Sequence, residues 1–540
     1  MSLSGLFDIG KSALFASQTA LNVVSNNIAN VNTPGYSRHE AILEVANPVQ
    51  VNGQFIGRGV GDVEVRRHFD KFIFLQIIGQ NQSYGKSYSL ERGLSHIEQI
   101  FNEAQNLGLG SSLKEYFNAW QEVAGNPDGE PQRTSLLHRT RALLQRSQQM
   151  EHDINNALKG INDDIGNAVN DINDITAMIS SLNEKISQLE AGLTTEQASY
   201  FRDQRDSHLT ALAEYMDYTW YEDKNGRVSI FAGGRTLVNE MAAYTLTTVV
   251  DLDGHRNVYA GQDDITSAIS RGRLGGLLAV RGEIETNSLH DLRKLTASII
   301  KETNMVHRTG YGLDGSTDRD FFSGLQVYTR EYSSSGYVTS ASVSDVTSLT
   351  LNEYDIQFDS AATYEVYNRQ SGALVTSGAF TAGGTISFEG IDVVIDGAPA
   401  AGDSFLVSPL MGVIEDAAVA ITDTNHIAAA SSDLTLPGDN RKALEIVDLN
   451  QGSIADLGGG TFSEYYQGIV TDIGIMSRAA SDSLTYDDNL RFELETKREA
   501  VSGVSLDEEA ANLVRFQRMY EAAGRVLKVA DDLMEMIINL

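Results

Sequence analysis

The sequence contains no cysteine, so disulfides, thiolate metal sites and cysteine nucleophiles are all excluded. Proline is scarce, 7 in 540 residues, which leaves long stretches where a helix can run without an imino-acid break. Basic residues are also in short supply: 41 Lys and Arg stand against 73 Asp and Glu, a net charge of −32. A chain this acidic repels nucleic acid and anionic bilayers, so no nucleic-acid partner is expected. No run of about 18 apolar residues occurs, so no membrane insertion by a spanning helix is expected. Met1 to Asp8 lack the basic start and unbroken apolar stretch of a cleavable signal peptide. The expected location is therefore either cytoplasmic or outside the cell by a route that reads no such signal.

Catalytic signatures are equally thin. There is no phosphate-binding Gly-x-x-x-x-Gly-Lys-Ser/Thr, no Gly-x-Ser-x-Gly and no His-Glu-x-x-His. Ser111-Ser112-Leu113-Lys114 fits Ser-x-x-Lys without that motif's companions. Asp251-Leu252-Asp253-Gly254 begins like a calcium loop, but His255 and Arg256 follow, and it reads as a hairpin turn. Asp314, Asp318 and Asp320 around Gly315 are either a solvated loop or an ion site. The ten histidines form no ligand-spaced pair. These absences lead to an expectation of no catalytic residue, no cofactor, no metal and no enzyme.

What is present is heptad periodicity at both ends of the chain. From Ser505 the sequence opens with a capping-box pattern, Ser505-Leu506-Asp507-Glu508. Apolar residues then recur in three columns: Leu513, Tyr520, Leu527 and Met534; Phe516, Ala523, Ala530 and Ile537; Met519, Val526, Leu533 and Leu540. The first two make a coiled-coil seam, and the third widens it so that the helix calls for more than one neighbour. Near the N-terminus Phe7, Leu14, Leu21 and Ile28 fall at sevens, with Gly10 and Ser17 in the seam to permit close approach. Two such helices can close a domain as an intramolecular pair, or leave stripes for other molecules to cover.

The first helix runs into Ser25-Asn26-Asn27-Ile28-Ala29-Asn30-Val31-Asn32-Thr33-Pro34-Gly35-Tyr36-Ser37-Arg38. Asparagines end helices by competing for backbone hydrogen bonds, and Pro-Gly suits the centre of a type II turn. The run Asn26–Arg38 resembles the N-terminal signature of the bacterial flagellar axial proteins of rod, hook and junction. The run Ser502 to Leu513 is similar to that family's C-terminal signature. Ser37-Arg38, Tyr116 to Glu122, Asp203 to Asp206 and Gly438 to Arg441 are most similar to the members that join hook to filament. The likeness fades between roughly Tyr328 and Leu410.

The resemblance implies a non-enzymatic structural subunit at the hook–filament junction, located outside the cell and leaving by the flagellar type III export route. Its implied partners are a ring of like subunits, the hook protein, the second junction protein and a flagellar export chaperone. A hook or distal-rod protein of the same superfamily is the near alternative, and a surface-binding module carried by the mid-chain insert is another. The residues expected to carry subunit assembly are Phe7, Leu14, Leu21, Ile28, Asn30, Pro34, Gly35, Tyr36, Leu513, Phe516, Tyr520, Leu527, Met534, Ile537 and Leu540.

Between the ends, two columns beginning at Ile154 and Leu158 recur over five heptads and predict one helix over 132–190. Past Met216 the period changes to two, with an Asn225-Gly226 hairpin turn. Residues 327–410, rich in Val, Thr, Tyr and Gly, predict a β-sandwich-like insert. The expected fold is multidomain α+β: a long helical coiled-coil rod formed by the N- and C-terminal portions, with β-rich domains inserted in the middle. Expected borders are 1–36 with 505–540 for the paired terminal helices. The helical rod takes 37–215, 265–318 and 425–504, with a small β excursion near 40–66. Residues 216–264 and 319–424 form the β-rich inserts.

Overall fold

The computed structural model describes residues 3–51, 54–102, 108–191, 195–333 and 335–538. In chain order the elements are α1 (Leu3–Ala29), β1 (His39–Val45), β2 (Val49–Val51), β3 (Gln54–Ile56) and β4 (Val60–Arg67), then α2 (Lys71–Ile100), α3 (Leu109–Gly125), α4 (Glu130–Ala191) and α5 (Thr195–Tyr215). A β-rich segment follows: β5 (Thr219–Glu222), β6 (Val228–Ala232), β7 (Arg235–Asn239), β8 (Ala242–Ala243), β9 (Leu246–Val250), β10 (Arg256–Ala260) and β11 (Asp263–Asp264). Helices α6 (Gly272–Glu283) and α7 (His290–Arg308) lead to β12 (Tyr328–Tyr332), β13 (Gly336–Val343), β14 (Tyr354–Ser360), β15 (Thr363–Asn368), β16 (Leu374–Ala379), β17 (Thr385–Phe388), β18 (Ile391–Gly397) and β19 (Ser404–Ser408). The chain closes with α8 (Arg441–Asp448), α9 (Phe462–Ser502) and α10 (Leu506–Ile538). This is an α+β architecture, helical at both ends with the sheets in mid-chain.

Two compact units share these elements: Met1–Arg92, Ile161–Val280 and Ala479–Leu540 form the first, Gly93–Gly160 and Arg281–Arg478 the second. The first joins both chain ends. In it β1 and β4 pair antiparallel, from His39 opposite Arg67 to Val45 opposite Val60, with a bulge after Leu43, and they lie against α1. The α4 side chains Ile165, Ile172, Ile179 and Ile186 are wholly buried there, as their shared seven-residue spacing requires. The strands after α5 form a four-stranded sheet, β5-β6-β7-β8, and a three-stranded one, β11-β10-β9. Asp223 accepts the amides of Asn225 and Arg227 at the first hairpin tip. Asp251 accepts those of Asp253 and His255 at the tip joining β9 to β10. Asp251, Asp253 and His255 bring one ligand atom each within 4.8 Å of one another, at an exposed turn.

The second unit has a helical core and a β-sandwich. Trp120 and Tyr116 of α3 are fully buried among Phe117, Phe321 and Phe322. The sandwich has a five-stranded sheet, β12-β19-β14-β15-β16, and a three-stranded one, β13-β18-β17. Its inward residues, such as Ile356, Val366, Val393 and Phe405, are wholly buried, and along β14 and β18 buried positions alternate with more exposed ones. In the 314–320 loop Asp320 pairs with Arg308, while Asp314 accepts from Ser316 and sits 3.2 Å from His426, so the three carboxylates do not converge.

His307 fixes the end of α7. Its Nε2 accepts the Ala428 amide at 2.9 Å, so Nδ1 carries the proton and donates to the Arg319 carbonyl at 2.7 Å. Burial lowers its pKa from 6.5 to about 4. The unfolded chain therefore binds the extra proton between pH 6.5 and 4, and stability is lost as pH falls through that window. The contribution is about 3 kcal/mol. The acid-induced loss of stability of this unit, followed by urea titration, is expected to be smaller by that amount in His307→Asn. Parallel pH profiles for variant and parent would rule the contribution out.

Candidate functional site

The two chain ends meet in the first unit. α1 and α10 pack against each other, with Ala20, Val24 and Phe516 buried at the centre and Leu21, Ile28 and Leu513 packed around them. On α10 the covered face is the column Phe516, Ala523 and Ala530. On α1 the residues that disappear from solvent are mostly small or polar: Gly10, Ala16, Ser17, Ala20 and Asn27. A Cβ on Gly10 would lie 3.0 Å from Leu527 Cγ, so glycine there allows the helices to close. Of the residues expected to carry assembly, Phe516 is buried and Leu14, Leu21, Ile28, Leu513 and Leu527 are half-buried in or beside this seam. Phe7, Tyr520, Met534 and Ile537 are exposed, and Leu540 lies outside the described residues.

The tight part of the site is polar. Asn27, 0% exposed, uses its whole hydrogen-bonding capacity. Its Nδ2 donates to the His39 carbonyl at 2.8 Å and to Glu509 Oε2 at 3.1 Å. Its Oδ1 accepts the His39 amide at 3.0 Å and the Tyr36 hydroxyl at 2.8 Å. Glu509, buried at the start of α10, also accepts from Arg38 Nε at 2.8 Å. Arg38 pairs with Glu508 at 2.7 Å, and its amide donates to the Ser502 carbonyl at 2.8 Å. Glu508 thus serves Arg38, and the capping box keeps only a 3.5 Å contact from the Glu508 amide to Ser505 Oγ. A charged guanidinium is the stronger partner for that carboxylate.

The latch continues inward. His39 Nε2 lies 3.1 Å from Asp203 Oδ2, and Arg67 reaches Asp203 at 3.0 Å and Asp206 at 2.7 Å. Arg205 extends the network to Glu222 at 2.8 Å. Burial lowers the Arg205 pKa and raises that of Asp206, each opposed by the other's charge. Each charge thus offsets part of the other's cost of burial.

The turn between the two halves is as the Pro-Gly pair requires. The Tyr36 amide donates to the Thr33 carbonyl at 3.2 Å, and Gly35 takes φ of 82°, the left-handed value of a type II turn. Asn30, Pro34, Gly35 and Tyr36 border open grooves of about 410 and 850 Å³ on its two sides. Sequence reasoning placed the turn but missed Asn27, Arg38, His39 and Glu509 as a bonded unit. The only local signal was three asparagines in a row of five, which by itself indicates a helix end.

Comparison with known proteins bears on this site because its halves are matched separately. Residues 7–36 match the family described as Flagella basal body rod protein, and residues 498–540 the Flagellar basal body rod FlgEFG protein C-terminal. Residues 94–322 match the Flagellar hook-associated protein FlgK helical domain. Flagellar hook-associated protein 1 of Salmonella typhimurium (strain LT2) is 30% identical with all of both chains covered. This chain belongs to the flagellar hook-associated protein 1 family. The hook-associated protein 1 of Escherichia coli (strain K12) is 29% identical over the full length of both, and that of Bacillus subtilis (strain 168) is 26% identical over 98% of this chain and 97% of its own. A solved structure of the flagellar hook junction protein FlgK from Burkholderia pseudomallei has the same fold, with a TM-score of 0.69 at 18% identity, covering 79% of this chain and all of that one. The insert, where the signature likeness fades, also matches: residues 329–409 fit the Flagellar hook-associated protein 1, D2-like domain. As a hook-associated protein 1 the chain is a structural protein of the bacterial flagellum.

Proposed function

We propose that this chain is the non-enzymatic subunit that joins hook to filament, and that it assembles by coiled-coil packing of its terminal helices with those of neighbouring copies. The observation that carries the reading is the division of labour on α10. One column, Phe516, Ala523 and Ala530, is spent on α1. Met519, Tyr520, Val526, Leu533, Met534 and Ile537 stay between 36 and 57% exposed. An uncovered apolar face of this length marks a protein–protein contact. Of the other assembly residues, Leu14, Leu21, Ile28, Leu513 and Leu527 hold the two helices together in or beside the seam, and Phe7, Asn30, Pro34, Gly35 and Tyr36 are offered with the uncovered face to neighbouring copies; Leu540 is expected to join them. In the assembled state the paired ends, 1–36 and 505–540, act as an inner domain, carrying the rod and β-rich portions outside it.

The partners that follow are like subunits in a ring, the hook protein on one side and hook-associated protein 3 on the other. An export chaperone covers the apolar stripe before assembly, and the chain reaches the outside through the flagellar export route. Cells from which this chain alone is deleted are expected to make finished hooks without filaments, seen by electron microscopy. Filaments of normal length, or an absence of hooks, would refute the assignment.

A further inference from the structure

Strands β2 and β3 form a sheet of two on their own, Val49 opposite Ile56 and Gln50 opposite Phe55. Among the described residues they pack chiefly on each other. A lone two-stranded hairpin is marginal in water and gains stability from a surface laid against it. This one presents apolar side chains to solvent: Phe55 is 73% exposed, Val49 43%, and Val45, just before it, 85%. Arg58 is the sole charge from Val45 to Gly59, in a chain of net charge −32. An exposed aromatic beside a single cation, on an element with little packing of its own, marks a docking knob.

The matching socket is the larger groove beside the 30–36 turn, about 850 Å³. Val31, Ile73, Phe74 and Val501 give it apolar walls, and five carboxylates line it against two guanidiniums. Arg38 and Asp206 are already ion-paired, while Glu495 and Glu499 stand exposed four residues apart on α9. The groove is therefore acidic where the hairpin is basic. In its own copy the hairpin is carried away from this groove. β1 and β4 run from His39 and Arg67, next to Arg38 of the groove, to Val45 and Val60, ~20 Å at about 3.3 Å per residue. There the arm is held to α1: the Val60 amide donates to Ser12 Oγ at 3.3 Å, and a Cβ on Gly59 would run into that oxygen. We propose that the hairpin of one copy seats Phe55 in this groove of a neighbouring copy, with Arg58 directed at Glu495 and Glu499. Knob and socket are different surfaces, so the contact is heterologous, and its repetition builds a ring or a helical row. The inference rests on the self-assembly reading above and adds a second contact, apart from the terminal helices.

The test puts the photo-crosslinker p-benzoylphenylalanine in place of Phe55 in the full-length chain, in flagella isolated from cells that make only this variant. Irradiation is expected to give dimers of the chain, with the linked peptide lying in 30–38 or 495–505. Linkage to a different flagellar protein, linkage to another part of this chain, or no linkage although the variant is present in the flagella would each overturn the proposal. Arg58→Glu is expected to reduce incorporation at least tenfold, and adding Glu499→Arg to restore it; no restoration counts against the pairing. The same crosslinker in place of Met519 separates this contact from the reading beneath it. Copy-to-copy linkage from 519 with none from 55 overturns the hairpin contact alone, and no copy-to-copy linkage from either position overturns self-assembly itself.

Discussion

Asn27→Leu is expected to destabilise the first unit by about 3–5 kcal/mol, a large fraction of the stability of an ordinary domain. Leucine is close in size, so no cavity accounts for the loss. The cost comes from four partners stranded at once: the amide and carbonyl of His39, the Tyr36 hydroxyl and the Glu509 carboxylate. Glu509 is the worst placed, since its side chain is 1% exposed and would keep only Arg38. Urea unfolding followed at Trp220, in this unit, should move by that amount, while the transition seen at Trp120, in the other, stays in place. Backbone amides of α10 should exchange faster at the same time. A change below about 1 kcal/mol would mean that water takes over the four bonds and that the latch is not what holds the ends. Asn27→Asp is expected to be no better at neutral pH, because it sets a second carboxylate where Nδ2 now meets Glu509 Oε2 at 3.1 Å.

Leu527→Asp should have the second large effect, through packing. Leu527 is half-buried with its Cγ against the Gly10 backbone. A carboxylate there meets no cation on α1, where Lys11 is exposed beside Phe15. The expected cost is about 3–4 kcal/mol, enough to part the helices. Filament-bearing junctions should then be lost, while the Trp120 transition is unchanged. Normal filaments in cells making only Leu527→Asp would show that assembly does not depend on this seam.

The helices were legible because a heptad repeat needs only apolar side chains at the right spacing. The columns from Ile154 and Leu158 gave α4, and those from Leu513 and Phe516 gave α10. The small seam positions of α1, Gly10 and Ser17, were legible, and the structure closes over them and Ala20. That Phe7 stays exposed and Leu14 only half-buried was not, because close approach favours small residues over the large ones in the same repeat. The latch was harder still. Asn27 and Glu509 are 482 positions apart, and hydrogen-bond complementarity over that separation leaves no periodic trace. The β insert was visible as alternation, but its membership was not, since strands constrain only every second position and the turns between them drift.

Asn27 and Arg38 leave the ribosome long before Ser502 and Glu509. The buried amide therefore waits while the chain between them, 482 positions from Asn27 to Glu509, is made before its carboxylate exists. A polypeptide broken off before Ser502 has no means of satisfying that amide, however well its middle folds. Closure of the ends is thus a test of completeness built into the molecule: a subunit that would leave a gap in a load-bearing joint is marked by its own open clasp.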